Sequence, residues 1–149
     1  RRLVMSIIEL LEKEEMLKAF SLLTELYPKM SMEEYSNQLD IMIPHNYSMV
    51  AVFVEDEIVG VSGMWIGHKL WCGKYMELDN VIVTEKWRSS GTGNLMFEFA
   101  KKKAKEQSCS SIGLDSYTYN HASHKFFFKE DFVIKGYHFV HIIDQEKMR

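Results

Sequence analysis

An α/β fold built on one mixed sheet, antiparallel at first and partly parallel later, follows from three features of this 149-residue chain. Two β-rich runs, 48–54 and 58–66, are joined by Glu55-Asp56-Glu57, the pattern of a hairpin, and a third run spans 70–83. From Leu78 to Ala100 the chain passes from a β-branched run, through a loop with two glycines, into a stretch of apolar residues at helical spacing. Another β-rich run, 111–116, follows that helix. Strand, helix, strand within one sheet implies parallel pairing between 78–83 and 111–116.

Taken in order, residues 4–10 read as a first strand, although Val4-Met5-Ser6-Ile7-Ile8 also suits the start of a helix. Met16, Leu17, Phe20, Leu23, Leu26 and Tyr27 have the spacing of a helix over 13–27, which Pro28 stops. Ser31 with Glu34 forms a capping box for a second helix to about Met42, closed by Pro44. Gly63 marks a bulge, and Gly67-His68 a turn or an irregular strand end. In the helix over 93–107, Leu95, Met96, Phe99, Ala100 and Ala104 share a buried face; Glu98, Lys101, Lys102, Lys105 and Glu106 lie opposite. A helix over 121–130 and a strand over 133–143 close the chain, so about four helices flank the sheet.

At this length, with 46% hydrophobic residues, residues 1–149 make a single domain with a real core. The formal charge of −3 argues against nucleic acid as the main partner and suits a cationic one. Cys72 and Cys109 have no metal-ligand spacing and read as free thiols of a reducing cytoplasm, with a bridge between them left open. His121 and His124 lack a carboxylate in position, and His138 and His141 alternate with apolar residues on an exposed strand; no metal set is expected. Lys101-Lys102-Lys103 with Lys105 complements a helix C-terminus. Arg1-Arg2 precedes too short an apolar run for a signal peptide, no segment is long enough to span a membrane, and the missing initiator Met suggests a start inside a longer chain.

The loop carries the chemistry. A helix that starts out of a glycine-rich turn presents free N–H groups and the positive end of its dipole, a place that binds phosphates. Gly91 and Gly93 allow close backbone approach, and Arg88, Ser89, Ser90, Thr92 and Asn94 offer further donors. A two-glycine turn before a helix is also common without any ligand. Asn94 and Leu95 stand where a Walker loop needs Lys and Ser or Thr, and Met96 breaks the dinucleotide fingerprint.

Arg88-Ser-Ser-Gly91-Thr-Gly93 fits the pattern Arg/Gln-x-x-Gly-x-Gly/Ala. Together with the strand 78–83 and the segment Asn120 to Phe132, it resembles the GNAT family of acetyl-CoA-dependent N-acetyltransferases over about the last half of the chain. The resemblance implies a GNAT-like sheet whose parallel strands splay around a CoA cleft. Residues 88–94 would hold the pyrophosphate, and the backbones of Val81, Ile82 and Val83 the pantetheine arm, with Asn120 and Phe127 also at the cofactor. The first two helices would border the acceptor, where Trp65 could line a pocket or simply belong to the core or rim, the reading that also suits Trp71 and Trp87. The implied reaction moves acetyl to a primary amine, of a small molecule first, by direct attack. A protein N-terminus or lysine is the alternative acceptor, a non-catalytic acyl-CoA-binding or sensing module the alternative role, and a homodimer is left open.

An amine of pKa about 10.4 costs roughly 4.6 kcal/mol to deprotonate at neutral pH, at about 1.36 kcal/mol per unit, so a base or relay is needed. Alternation places Glu77, Asp79, Val81 and Val83 on one face of the strand and Leu78, Asn80 and Ile82 on the other. Asp79 stands where many family members carry Glu and ranks first, Glu77 second; both also suit ordinary surface groups. Counting from Asn120, the family's general-acid tyrosine falls at Phe127, and Asp131 replaces the usual glycine before Phe132. Phe donates no proton. A thiol of pKa about 8.5 leaves as thiolate for only roughly 2 kcal/mol, and Tyr119, His124, Ser123 or Tyr117 could serve as donors, His124 being equally suited to a solvated surface.

Overall fold

A computed structural model describes residues 3–149; Arg1 and Arg2, on which the signal-peptide reading partly rests, lie outside them. Five strands form one sheet in the order of the chain: β1 Met5–Leu10, β2 Tyr47–Val54, β3 Glu57–Lys69, β4 Gly73–Val83 and β5 Ser111–Leu114. The first four pair antiparallel and β5 pairs parallel to β4, the mixed sheet that the sequence predicts. The helices are α1 Lys13–Leu17, α2 Phe20–Leu23, α3 Met32–Met42, α4 Thr92–Glu106 and α5 His121–Lys129. Two compact units divide the chain, one up to Leu114 and one from Asp115 onward.

In the first unit, helices α1 to α3 pack on one face of the sheet, where Met16, Leu23, Tyr35 and Leu39 meet Leu10, Tyr47, Met49 and Val61 in one buried cluster. On the other face α4 lies close enough to β3 that a Cβ on Gly60 would stand 2.8 Å from Thr92 Cγ2. The β2–β3 hairpin turns on Glu55-Asp56, with Val54 opposite Glu57 and Glu55 in the left-handed region at φ 56°. α3 starts at the predicted capping box: Ser31 Oγ accepts from Glu34 N–H at 3.1 Å, and Glu34 Oε2 accepts from Ser31 N–H at 3.4 Å.

Several expectations are corrected. The helix expected over 13–27 is two short helices, because the Lys18 and Ala19 N–H groups bond the carbonyls of Glu15 and Met16, three residues back, and tighten the chain into a turn. Gly67-His68 ends no strand: β3 runs on to Lys69, and Gly67 is glycine because a Cβ would stand 2.6 Å from the Tyr75 hydroxyl. The inward face of α4 carries Phe97, fully buried, whereas Leu95 is 39% exposed. Lys103 does more than complement a helix end: it reaches Glu9 on β1 and Ser48 Oγ on β2, and burial lowers its pKa. β5 ends at Leu114, two residues short of the expected limit.

The second unit holds α5 and the tail. Asn120 caps α5 by accepting from Ser123 N–H at 3.4 Å. Its other end is a Schellman motif: Phe132 N–H bonds Phe127 C=O at 3.0 Å, Asp131 N–H bonds Phe128 C=O at 3.2 Å, and Asp131 takes the left-handed conformation at φ 67°. Asp is tolerated better than most residues in that conformation. Within this unit taken by itself, the strand expected over 133–143 is not formed.

Candidate active site

The site in the first unit is organised by a bulge in β4. Val61 lies opposite Ile82 and Gly63 opposite Asp79, so two steps along β3 match three along β4 and the extra residue belongs to β4. Asn80 takes it up at φ 53°, a conformation that Asn adopts more readily than most residues. The bulge expected at Gly63 therefore sits across from it. Gly63 is glycine for another reason: a Cβ there would come within 2.5 Å of the Tyr47 hydroxyl and 2.9 Å of Asn80 Oδ1.

That extra residue overturns the alternation drawn from sequence. Asp79 and Ile82 fall on one face, the face of α1 to α3, because each stands opposite a β3 residue of that face. Val83 instead lies opposite Gly60, on the α4 face. Asp79 is therefore not grouped with Val83. Glu77, opposite Trp65, keeps its place beside Asp79, and its Oε2 occupies the space a Cβ on Gly113 would need, at 2.8 Å.

A polar network holds this face. The Tyr47 hydroxyl donates to Asn80 Oδ1 at 2.8 Å, and Asn80 Nδ2 donates to the Tyr27 hydroxyl at 2.8 Å. Asp79 Oδ1 accepts from Asn80 N–H at 2.9 Å and Oδ2 from the Trp65 indole at 3.3 Å, while Trp65 packs on Tyr47 with ring centroids 4.8 Å apart. Burial, and then the neighbourhood of Tyr35, Asp79 and Tyr27, pushes the Tyr47 phenol well above its ordinary pKa. Tyr47 is thus a neutral donor. Tyr27 and Tyr47 escaped sequence reasoning because 20 residues separate them and only the sheet brings them to Asn80. One signal was legible: an Asn inside a β-branched run, where its propensity is poor.

Leu78, opposite Leu114, is the last β4 residue paired with β5, and β4 runs five residues further, to Val83. The chain then enters the glycine loop. Ser89 at φ 61° and Gly91 at φ 90° are both left-handed, and the second is the N-cap of α4. Among the described residues, the N–H groups of residues 89–93 find no backbone acceptor. A diphosphate would fit such an array of N–H groups at the head of a 15-residue helix, and no side chain crowds Gly91.

The loop's side chains are divided in their aim. Ser90 Oγ bonds Trp87 C=O and meets Thr92 Oγ1 at 2.8 Å; Thr92 is buried. Both brace the loop on itself, so they do not offer the ligand donors expected of their side chains. Arg88 Nε donates to Val83 C=O at 3.0 Å, tying the end of β4 to the loop and taking a carbonyl that was assigned to the pantetheine.

In the second unit, His124 Nε2 lies 2.9 Å from Tyr117 C=O, and Tyr119, exposed, stacks on Tyr117 at 5.4 Å. Phe127 packs on Phe132 with centroids 6.4 Å apart, the apolar contact that accompanies a Schellman turn, so its ring has a structural task where the family pattern has a phenol. Cys72 and Cys109 are free thiols. No described helix is long and apolar enough to cross a membrane.

A mixed sheet with a bulged fourth strand and a glycine loop at the head of a long helix defines the class: an α/β protein with one mixed sheet. Comparison with known proteins carries this further. The family model of the acetyltransferase (GNAT) family matches residues 5–132, and the chain belongs to that family and is an acetyltransferase. It is 23% identical over 133 residues to an uncharacterized N-acetyltransferase of Bacillus subtilis strain 168, covering 88% of this chain and 94% of that one. Among solved structures it is similar in fold to a glucosamine-6-phosphate N-acetyltransferase from Arabidopsis thaliana (TM-score 0.74, 21% identity, 95% of this chain and 99% of that one). It is likewise similar to the aminoglycoside N-acetyltransferase AAC(6')-Iy, solved with CoA (TM-score 0.81, 13% identity, 97% of each chain).

Proposed function

We propose that this chain moves an acetyl group from acetyl-CoA to a primary amine of a small molecule, by direct attack and within one transferase domain. The observation that carries the reading is the run of N–H groups over residues 89–93 that find no backbone acceptor among the described residues, set by two left-handed residues at the head of α4 and following a strand that runs past its parallel partner. Backbone donors so arranged suit a diphosphate. The main chain of Val81 and Ile82, past that partner, suits an extended amide-bearing arm. AAC(6')-Iy, solved with CoA, shares the fold.

The amine nitrogen attacks the acetyl carbonyl carbon; the C–N bond forms, the C–S bond breaks, and sulfur leaves with its electron pair as thiolate. The nitrogen's proton passes to the Asp79 or Glu77 carboxylate, or to water between them. Asp79 is held for this by Trp65 and by the bulge N–H. With Phe127 in place of a phenol, the thiolate departs without a tyrosine's help, at the roughly 2 kcal/mol that a thiol of pKa about 8.5 demands at neutral pH. Cytoplasmic thiol chemistry suits the two free cysteines.

Phe127 also favours a second reading, an acyl-CoA-binding module without turnover. Incubation with acetyl-CoA and a panel of small amines, lysine peptides and peptide N-termini, followed by free-thiol measurement, separates the two. Thiol release with a small amine supports the proposal, and release with peptides alone moves the acceptor to protein. Tight CoA binding with no release for any amine assigns the binding module.

A further inference from the structure

Both ends of the glycine loop rest on one place in the sheet. At its start Thr84 N–H donates to Val59 C=O at 2.9 Å; at its end Thr92, in the first turn of α4, stands over Gly60, the next residue of β3. Thr92 is 1% exposed and offers nothing to a ligand, yet a Cβ on Gly60 would stand 2.8 Å from its methyl. A hydroxyl so enclosed is costly unless it is bonded. It is bonded within the loop: Ser90 Oγ gives its one proton to Trp87 C=O, so at 2.8 Å the Thr92 hydroxyl is the donor to Ser90 Oγ. Thr92 Oγ1 also lies 3.4 Å from Trp87 C=O and 3.7 Å from Met5 Sδ on β1.

We propose that Thr92 is the positioning residue of this loop: its methyl, seated on Gly60, and its hydroxyl, tied through Ser90 to Trp87, hold the N–H groups of residues 89–93 in the arrangement that takes a diphosphate. The inference rests on reading that loop as the diphosphate cradle of the acyl donor. Successive N–H groups bind an anion only where the backbone turns them to one side, and here the turning is done by left-handed Ser89 and Gly91. In a serine that conformation is strained, so something must hold it. The bond from Ser90 Oγ back to Trp87 C=O closes a turn around Ser89, and Thr92 fastens that turn to a buried seat on β3. Thr92 thus acts on the ligand through the main chain of its neighbours.

Calorimetric Kd values of the whole chain for CoA and for pantetheine, which lacks the diphosphate, test it. Thr92→Val keeps the methyl and removes the hydroxyl; CoA affinity should fall about tenfold, the effect of one net hydrogen bond, with pantetheine affinity unchanged. Thr92→Ser, which keeps the hydroxyl, should lose less than about threefold. Gly60→Ala drives a methyl against that of Thr92 and should weaken CoA by about tenfold; adding Thr92→Ser, which vacates the space, should restore most of the loss, the non-additivity of residues in contact. Should Gly60→Ala not fold, Thr92→Val and Thr92→Ser decide. Thr92→Val binding CoA as the unaltered chain does, or losing CoA and pantetheine alike, overturns the proposal and leaves the loop's assignment standing. An unaltered chain that binds CoA no better than pantetheine overturns that assignment, and the proposal with it.

Discussion

Two helix ends in this protein use the same rare backbone conformation for opposite purposes. At the head of α4, left-handed Ser89 and Gly91 turn the chain so that, among the described residues, the N–H groups of residues 89–93 find no backbone acceptor. At the foot of α5, left-handed Asp131 turns the chain so that two carbonyls, of Phe127 and Phe128, are capped, and Phe127 closes over Phe132. A positive φ does not by itself mark a functional site. What matters is whether the backbone groups it redirects are then satisfied: the α5 end is capped, and the α4 end leaves N–H groups without a backbone acceptor among the described residues.

The open end should be the more fragile to chemistry. Gly91→Glu puts a Cβ at φ 90°, at a strain of about 1–2 kcal/mol, and an anion where one must bind. Because nothing lies within 4 Å of that Cβ, the fold should survive while CoA affinity falls more than 100-fold by calorimetry. Gly91→Asn, which tolerates the conformation, should keep most of the affinity. Undiminished binding by the Glu variant would remove the loop from the site.

Asp79→Asn keeps the hydrogen bond to the Trp65 indole but not the charge; kcat/KM for the amine should drop on the order of 100-fold, the low end for a general base, with CoA affinity unchanged. A rate within twofold of the unaltered enzyme would pass the role to Glu77. Asn80→Ala leaves the Tyr27 and Tyr47 hydroxyls without their shared partner and removes the residue best suited to the bulge. A loss of about 1–3 kcal/mol in urea unfolding is expected, together with a raised KM for the amine. Unaltered stability would show that the bulge is held by register alone.

The same network has a pH signature. The folded pKa values of Tyr35 and Tyr47 are raised by burial, so the unfolded chain gives up these protons first. Their contribution to stability is complete below about pH 10 and is lost as pH climbs above it. Between pH 9 and 11 the unaltered protein should lose more stability in urea melts than Tyr47→Phe does; equal losses would contradict the burial of the phenol. The smallest effect belongs to the finished helix end. Asp131→Gly relieves a left-handed Asp and removes a negative charge from a helix C-terminus, and should stabilise by about 1 kcal/mol without touching activity. A Tm that stays level would argue that the Asp side chain has a compensating partner.

Each helix and strand that could be found from sequence was found through local signals. The Ser31–Glu34 box, the Glu55-Asp56 hairpin and the glycines before α4 state their conformations within a few residues, and the order of elements around that loop was enough to reveal the family. Nonlocal balances were illegible. Whether 13–27 bends at Lys18-Ala19 depends on how α1 and α2 meet the sheet, and whether Phe97 or Leu95 turns inward depends on where α4 crosses β3. One unpaired residue in β4 was beyond reach of any period-two argument, because a bulge is set by the register with β3 and moves every later side chain to the other face.

By itself, then, the sequence determined a mixed sheet, a glycine loop feeding a helix and an acetyltransferase's order of parts, since each is written in propensity, capping and spacing over short stretches. Tertiary structure alone decided that Asp79 shares a face with Tyr27, Tyr47, Trp65 and Asn80, that Ser90 and Thr92 bond within their own loop, and that Phe97 rather than Leu95 is buried on α4. The physical reason is common to all three. A side chain's surroundings are fixed by strands and helices distant in sequence, and a single-residue shift in pairing exchanges one set of neighbours for another.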